Sequence, residues 1–289
     1  MNWRELVSSG PVLTDGAWGT ELQKRGLGIG ECPDAWNLSH PREVSEVAQC
    51  YREAGSRVVL TNTFRANPIS LAACDLADRA AEINRAGVEL SKKAAGTALV
   101  FGSVGPSGKI LSAGEVSEQD LLLAFRTQVQ ALAEGGADAL LLETFSELEE
   151  ASIALNAAKA TGLPVIVSFA FDTGRNKDRT MTGVTPERAA AAMTQAGADA
   201  VGANCGVGIA QLVELCRRMR VATHLPLWMK PNAGLPELVD GIVEYRATPE
   251  QFASSIPLLR DAGASFIGGC CGTNPAFIRA AAAALSPCD

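Results

Sequence analysis

The chain has 289 residues, 47% of them hydrophobic, and a net charge of −7, enough for one large domain or two small ones around a substantial core. No Lys/Arg run is present, which argues against nucleic acid or an anionic membrane as a partner. The N-terminal "MNWRELVSSG" has no apolar signal segment and no apolar run reaches membrane-spanning length, so a soluble cytoplasmic protein is expected.

The first short apolar run is "GPVLTDG", a strand ending in Asp15-Gly16. "PREVSEVAQCYREAG" follows as a helix with Val44, Val47, Ala48 and Tyr51 on one face. Four stretches then repeat one pattern of helix end, glycine cap and short apolar run: "EAGSRVVLTN", "EGGADALLLE", "QAGADAVGAN" and "DAGASFIGGC". "TALVFGSVGP", "LPVIVSFAF" and "LPLWMKPN" supply further runs without alternation, the pattern of strands buried on both faces of a parallel sheet. "TPERAAAAMTQAG", "TPEQFASSIPLLRDAG" and "NPAFIRAAAAAL" open as helices. In the second, Thr248 is placed as cap, Pro249 in the first turn and Gln251 for a capping box, and Pro257 interrupts it. Eight strands thus alternate with helices, and no linker divides residues 1–289. The expected fold is a single (β/α)8 barrel domain of the α/β class. An open doubly wound sheet is the alternative, weakened because no G-x-G-x-x-G follows the first strand.

In a (β/α)8 barrel the chemistry sits where strands end. The ends in order are Asp15-Gly16, Thr61-Asn62-Thr63, Gly102-Ser103, Glu143-Thr144, a less sharp end near Phe171-Asp172, Asn204-Cys205, Lys230-Pro231-Asn232 and Cys270-Cys271. Strands six and eight have equal parity and share side-chain layers, so Cys205, Cys270 and Cys271 are expected to meet at one point. Adjacent strand residues face opposite ways, so the cysteine pair needs a sharp turn, which Gly268, Gly269 and Gly272 permit. Three thiolates with an open fourth position form a catalytic Zn2+ arrangement. Such a site suits a thiol substrate, deprotonated on the metal and ready for alkylation. Two buried thiols without a metal are the plainer reading of the Cys-Cys pair alone. Cys50 and Cys216 read as core residues of helices. Cys32, Cys74 and Cys288 have no partner spacing. His40 reads as a cap-region residue and His224 lies on the face away from the site.

"DGAWGTELQKRG", "TNTF", "LLETF", "GANCG", "PNAGLP" and "GGCCGTNP", in this order along nearly the whole chain, resemble the homocysteine S-methyltransferase family. The resemblance implies a zinc barrel that methylates homocysteine to methionine, with Cys205, Cys270 and Cys271 as zinc ligands. It implies that Asp15 and Glu143 lie near the substrate ammonium, that the backbone at Gly16 and Ala17 helps hold the amino-acid end, and that Asn62 and Asn204 order the pocket. "TNTF", "PNAGLP" and "GGCCGT" look most like the homocysteine module of cobalamin-dependent methionine synthase, which implies a methylcorrinoid donor carried by a separate corrinoid protein. S-methylmethionine and betaine are the alternative donors. Betaine is the less expected, because the family's betaine branch carries tyrosines where Arg65 and Thr144 stand here. That leaves Trp18 and Trp36 as aromatics for a cation cage. Two readings of other classes remain at this point: a lyase or aldolase using Lys230 as a Schiff base, and a non-catalytic zinc-holding or redox-sensing barrel.

Overall fold

The computed structural model describes residues 3–8, 10–239 and 242–285; Cys288 lies outside them. Ten strands are present among the described residues: β1 Val12–Leu13, β2 Val58–Leu60, β3 Leu99–Val104, β4 Ala139–Phe145, β5 Val165–Phe169, β6 Ala200–Gly208, β7 Leu227–Asn232, β8 Pro236–Val239, β9 Ile242–Tyr245 and β10 Ala264–Ile267. Eight of them form one parallel sheet in the order β1-β10-β7-β6-β5-β4-β3-β2. The seam between β1 and β2 closes through the bridge Thr14–Val58 and the bond from Arg57 N to Leu13 O, 2.8 Å. The Asp15 carboxylate extends this seam, accepting from Leu60 N at 2.8 Å. The expected barrel is therefore the observed one.

Helices cover the outside. α1 Trp3–Ser8 lies at the N-terminal end of the barrel and places Leu6 in the apolar cluster inside it. Caps fall where the sequence puts them. Thr248 and Gln251 form the reciprocal box, and the helix breaks at Ser255, ahead of Pro257. The antiparallel hairpin β8–β9 was not anticipated from the sequence; it lies between β7 and the next helix.

The interior is layered. Val58, Phe101, Leu141, Ile166, Trp228 and Phe266 point inward and pack together, with Trp228 and Phe266 ring centres 5.2 Å apart. Strand side chains alternate, so the next inward position is two residues on. For β3, β4, β5 and β7 those positions are Ser103, Glu143, Ser168 and Lys230, all buried. An apolar plug is thus followed by a polar layer at the C-terminal mouth. The strand-end site stands on this layer.

Candidate active site

A cavity of about 310 Å³ opens at this mouth, lined among others by Gly16, Ala17, Trp18, Asp34, Asn62, Phe64, Arg65, Ser103, Glu143, Cys205, Lys230, Cys270 and Cys271. The three cysteine sulfurs lie within 4.8 Å of one another, and this is the one potential metal-holding group found among the described residues. Cys205 and Cys271 Sγ are 3.6 Å apart. Four sulfurs around zinc at about 2.3 Å would sit about 3.8 Å from each other, close to the Cys205–Cys271 separation, so the donor set suits such an ion.

The backbone makes this convergence. Cys205 has φ of 61° and Gly206 of 71°, where the register of β6 against β7 shifts between Asn204 and Gly208. This bulge turns the Cys205 thiol toward β10. The Cys270-Cys271 turn is pinned from both sides. Cys270 N donates to Pro231 O at 2.7 Å, Ala233 N donates to Cys271 O at 2.9 Å, and Thr273 N donates to Cys270 O at 3.0 Å. Gly272, at φ 79°, allows the turn. A side chain at Gly268 or Gly269 would collide with Thr14 or Thr273.

The protons on the cluster are unevenly held. Hydrogen bonds from Cys270 and Cys271 pull the Cys205 thiol down to about 3. The hydrogen bond to Cys205 is the main cause that pushes Cys270 well up and Cys271 to about 11. One thiolate shared by two S–H groups is the state a soft cation would replace, because thiolates are metal ligands only when deprotonated. Asn232 adds a second sign of fit. It hydrogen-bonds Cys205, and its Oδ1 is buried with no hydrogen-bond partner.

Across the cavity lie Lys230 and Glu143, with Asp15 buried beside Lys230. Asp15 is fully buried; its Oδ1 is 2.5 Å from Lys230 Nζ, and Oδ2 accepts from Leu60 N and Trp18 Nε1, each at 2.8 Å. Glu143 is 8% exposed, and its Oε1 accepts from Ser103 Oγ at 2.5 Å. Burial raises the Glu143 pKa, while Lys230 and the Ser103 hydrogen bond pull against it. Burial alone would lower the Lys230 pKa; Asp15 and Glu143 outweigh it and the net shift is upward. A protonated, ion-paired lysine is no Schiff-base nucleophile, which needs a depressed pKa. The aldolase reading loses its central residue.

Asn204 ties the two walls together. Its Oδ1 accepts from Thr144 N at 3.0 Å and from Ser168 Oγ at 2.6 Å, its Nδ2 donates to Thr144 Oγ1 at 2.7 Å, and it lies 4.0 Å from Cys270 Sγ. Thr144 needs such a clamp, because it sits at φ 66°, a conformation costly for a β-branched residue. Asn62 lines the cavity and bonds Pro33 O and Asn37 Oδ1, so it fixes the loop that carries Asp34.

Several expectations change. Asp15 is not among the residues that line the cavity, and its carboxylate accepts from three of the chain's own donors. The Ala17 amide donates to Thr273 Oγ1 at 3.2 Å, and its carbonyl accepts from Tyr51 Oη at 2.8 Å, so of the expected pair only Gly16 leaves its amide untied. Trp36 stacks on His40 and lies outside the wall; Phe64 lines it together with Trp18 instead. Cys50 is half-buried beside Arg25 rather than a core residue, whereas Cys216 is buried. Cys32 and Cys74 are neighbours after all.

Two groups at the site were missed. Tyr245, from the unanticipated hairpin, packs on Gly272 and hydrogen-bonds Cys271. Asp34, just inside the mouth, accepts from Arg65 N at 3.0 Å, and its burial raises its pKa to about 6. "DG" between "PELV" and "IVEY" is the sequence signal that would have found the hairpin; nothing local marked Asp34.

The family described as homocysteine S-methyltransferase matches residues 12–285. The methionine synthases of Mycobacterium leprae and Mycobacterium tuberculosis are 30% and 31% identical over 99% and 98% of this chain. The chain spans about a quarter of the length of these relatives, 25% in each. The metallated form of the homocysteine methyltransferase MmuM from Escherichia coli superposes with a TM-score of 0.78 at 29% identity, covering 94% of this chain and 96% of that one.

Proposed function

The chain belongs to the homocysteine S-methyltransferase family, and from that premise we propose that it methylates the homocysteine thiol to methionine at a Zn2+ held by Cys205, Cys270 and Cys271. The observation that carries the reading is the convergence of three thiols within 4.8 Å on one wall of a cavity whose opposite wall bears a carboxylate. Bound zinc would lower the pKa of the acceptor thiol and keep it as an electron-rich thiolate. The orphaned Oδ1 of Asn232, whose side chain already hydrogen-bonds Cys205, would be a further protein oxygen available to such an ion.

The remaining work belongs to this chain's side chains. Glu143, oriented by Ser103, receives the acceptor's ammonium through its second oxygen. Asn204 holds the Thr144 bend and so fixes where the Glu143 carboxylate points. Tyr245 and Gly272 close the far side of the thiol cluster. Trp18, Phe64, Asp34 and Arg65 line the route by which a donor must bring its methyl group. The acceptor sulfur attacks that methyl carbon, and the donor leaves with the bonding electron pair.

For the donor we favour a methylcorrinoid carried on a partner protein. The methionine synthase relatives and the "PNAGLP" resemblance support it. A second reading has its own support: the chain matches MmuM almost end to end, and a buried carboxylate, Asp34, shares the cavity wall with two aromatic rings. That combination suits a small cationic donor such as S-methylmethionine. Betaine stays disfavoured, since Arg65 and Thr144 stand where the betaine branch of the family carries tyrosines. The experiment uses protein purified without chelator under reducing conditions. One zinc per chain is expected, together with methionine formation from homocysteine and either methylcobalamin or S-methylmethionine. Absence of zinc with no rescue by added zinc overturns the metal assignment, and efficient turnover with betaine alone overturns the donor assignment.

A further inference from the structure

Cys32 and Cys74 lie in the connections that follow β1 and β2, and their thiols hydrogen-bond each other. Neither has a task in the proposed reaction. Each leaves the chain at a turn that the main chain fixes. Cys32 precedes the short turn Pro33–Ala35; its carbonyl accepts from Ala35 N at 3.2 Å, and its side chain makes no capping hydrogen bond. Cys74 ends the turn Ala72–Cys74, which Asp75 closes at φ 56°, with Leu76 N donating to Leu71 O at 3.1 Å. Leu71, Ala80 and Ile83 form a small apolar cluster, against which Cys32 and Leu76 pack. Cys32 is half-buried there, whereas Cys74 is exposed.

The pair stands beside the cavity wall. Pro33 and Asp34, the residues after Cys32, line the cavity. They are tied to the β2 side by Asn62 Nδ2 donating to Pro33 O at 2.7 Å and Arg65 N donating to Asp34 Oδ1 at 3.0 Å. We propose that Cys32 and Cys74 form a reversible disulfide that joins the two connections and fixes the Pro33–Asp34 wall, with a small-molecule disulfide as the oxidant. Cys74, the exposed thiol, gives up its proton and attacks one sulfur of the oxidant. The oxidant's S–S bond breaks, and one half leaves as a thiolate that takes up a proton. Cys32 then loses its proton and attacks the Cys74 sulfur, and the second half leaves in the same way. Two protein thiols are oxidised to one disulfide, and one small disulfide is reduced to two thiols. The surroundings set the order of attack. Burial and the nearby Asp34 charge push the Cys32 thiol up to about 11, which makes it the poorer first nucleophile and leaves it the intramolecular step. A disulfide needs sulfurs about 2.05 Å apart, which two thiols already in contact approach by side-chain rotation. This device goes beyond the methyl-transfer reading and does not rest on it.

The test uses zinc-loaded full chain equilibrated in mixtures of reduced and oxidised glutathione, quenched with acid and digested with trypsin. Oxidation should link the peptide 26–42 to the peptide 66–79, with zinc content unchanged, and reduced glutathione should reverse it. The linked form should melt about 5–10 °C above the reduced form, because the bridge constrains the unfolded chain. Amide hydrogen exchange over residues 31–35 should slow. Cys74→Ser, at an exposed position, should lose all three changes and keep the zinc content and melting temperature of reduced wild type. Glutathione left on Cys74 with no link to Cys32 overturns the proposal, as does a link that forms only in denaturant. A link without slower exchange at residues 31–35 overturns the fixing of the wall. Oxidation confined to Cys205, Cys270 and Cys271, with loss of zinc, overturns it too, since the thiol wall would then be the redox-sensitive part.

Discussion

The two walls of the cavity are built by different means. The thiol wall, from β6 and β10, is aimed by the backbone: a bulge at Cys205, a left-handed Gly272, and main-chain bonds on both sides of Cys270-Cys271. The charged wall, from β1, β4 and β7, is aimed by side chains that hold one another, Asp15 to Lys230 and Ser103 to Glu143. The thiol wall stores its charge as shared protons that a metal can replace. The charged wall is compensated internally. The first should therefore lose its ligand without losing the fold, and the second should lose stability when either half of its pair is removed.

Replacing any one of Cys205, Cys270 and Cys271 by alanine tests the first half, and gives the largest effect on activity. The metal should be lost and methyl transfer abolished, while the melting temperature stays near that of the metal-free wild type, because the hydrogen bonds that set the turn are main-chain. Metal analysis and thermal unfolding read the two outcomes separately. Collapse of the fold in all three variants would mean that the sulfurs, and not the backbone, shape this wall.

The second half predicts the largest effect on stability. Lys230→Met leaves Asp15 as an unpaired buried charge, which costs about 3–5 kcal/mol. The double variant with Asp15→Asn should be less destabilised than Lys230→Met, since the substituted amide oxygen still accepts from Leu60 N and no charge is stranded. Denaturant unfolding of wild type, both single variants and the double variant gives the coupling. Additive losses would show that Asp15 and Lys230 act independently.

The same contrast explains what the sequence could disclose. Strand ends are legible because short apolar runs stop at polar residues, and barrel parity brings Cys205 to Cys270 and Cys271. Glu143 is legible because a carboxylate after "ALLL" has few other uses. The ion pair on the charged wall is not legible: Asp15 and Lys230 are 215 positions apart, and only the closed barrel shows that they satisfy each other. Thr144 hides for another reason. Nothing in "LLETF" signals a left-handed residue, since a threonine is a poor choice for it, and the compensating Asn204 sits two strands away. Phe64 displaced Trp36 as the wall aromatic because the turn after β2, and not helix periodicity, decides which ring faces the mouth.

Glu143→Gln sharpens the comparison by removing a charge from the charged wall without stranding another. Homocysteine affinity should fall by about 1.5–3 kcal/mol, the loss of one charge-assisted hydrogen bond, with zinc content unchanged. The pH dependence carries a sign. Burial raises the Glu143 pKa, so the ionised form that binds an ammonium is lost, as pH falls, earlier than for an ordinary glutamate. Wild-type affinity should therefore weaken on approaching that raised pKa from above, and the Gln variant should lack this limb. An identical acid limb in both proteins would assign the titration to another group.

The smallest effect concerns Asp34, a buried carboxylate that belongs to neither wall. Its burial raises its pKa from 3.8 to about 6. A carboxylate with a folded pKa above its unfolded one favours the folded state only while protonated. The penalty of ionising it in place sets in as pH rises above the unfolded value and is complete above about pH 6. Asp34→Asn removes the charge and keeps an acceptor for Arg65 N. The variant should be more stable than wild type by roughly 1–2 kcal/mol at pH 7, allowing for the weaker hydrogen bond of a neutral amide. At pH 4, where folded Asp34 is protonated, the difference should vanish. Unfolding at the two pH values measures it directly. A gain that is equal at both would trace to packing rather than to charge. A loss at pH 7 would mean that the Arg65 side chain, on the same loop, already pairs with this carboxylate strongly enough to offset its burial.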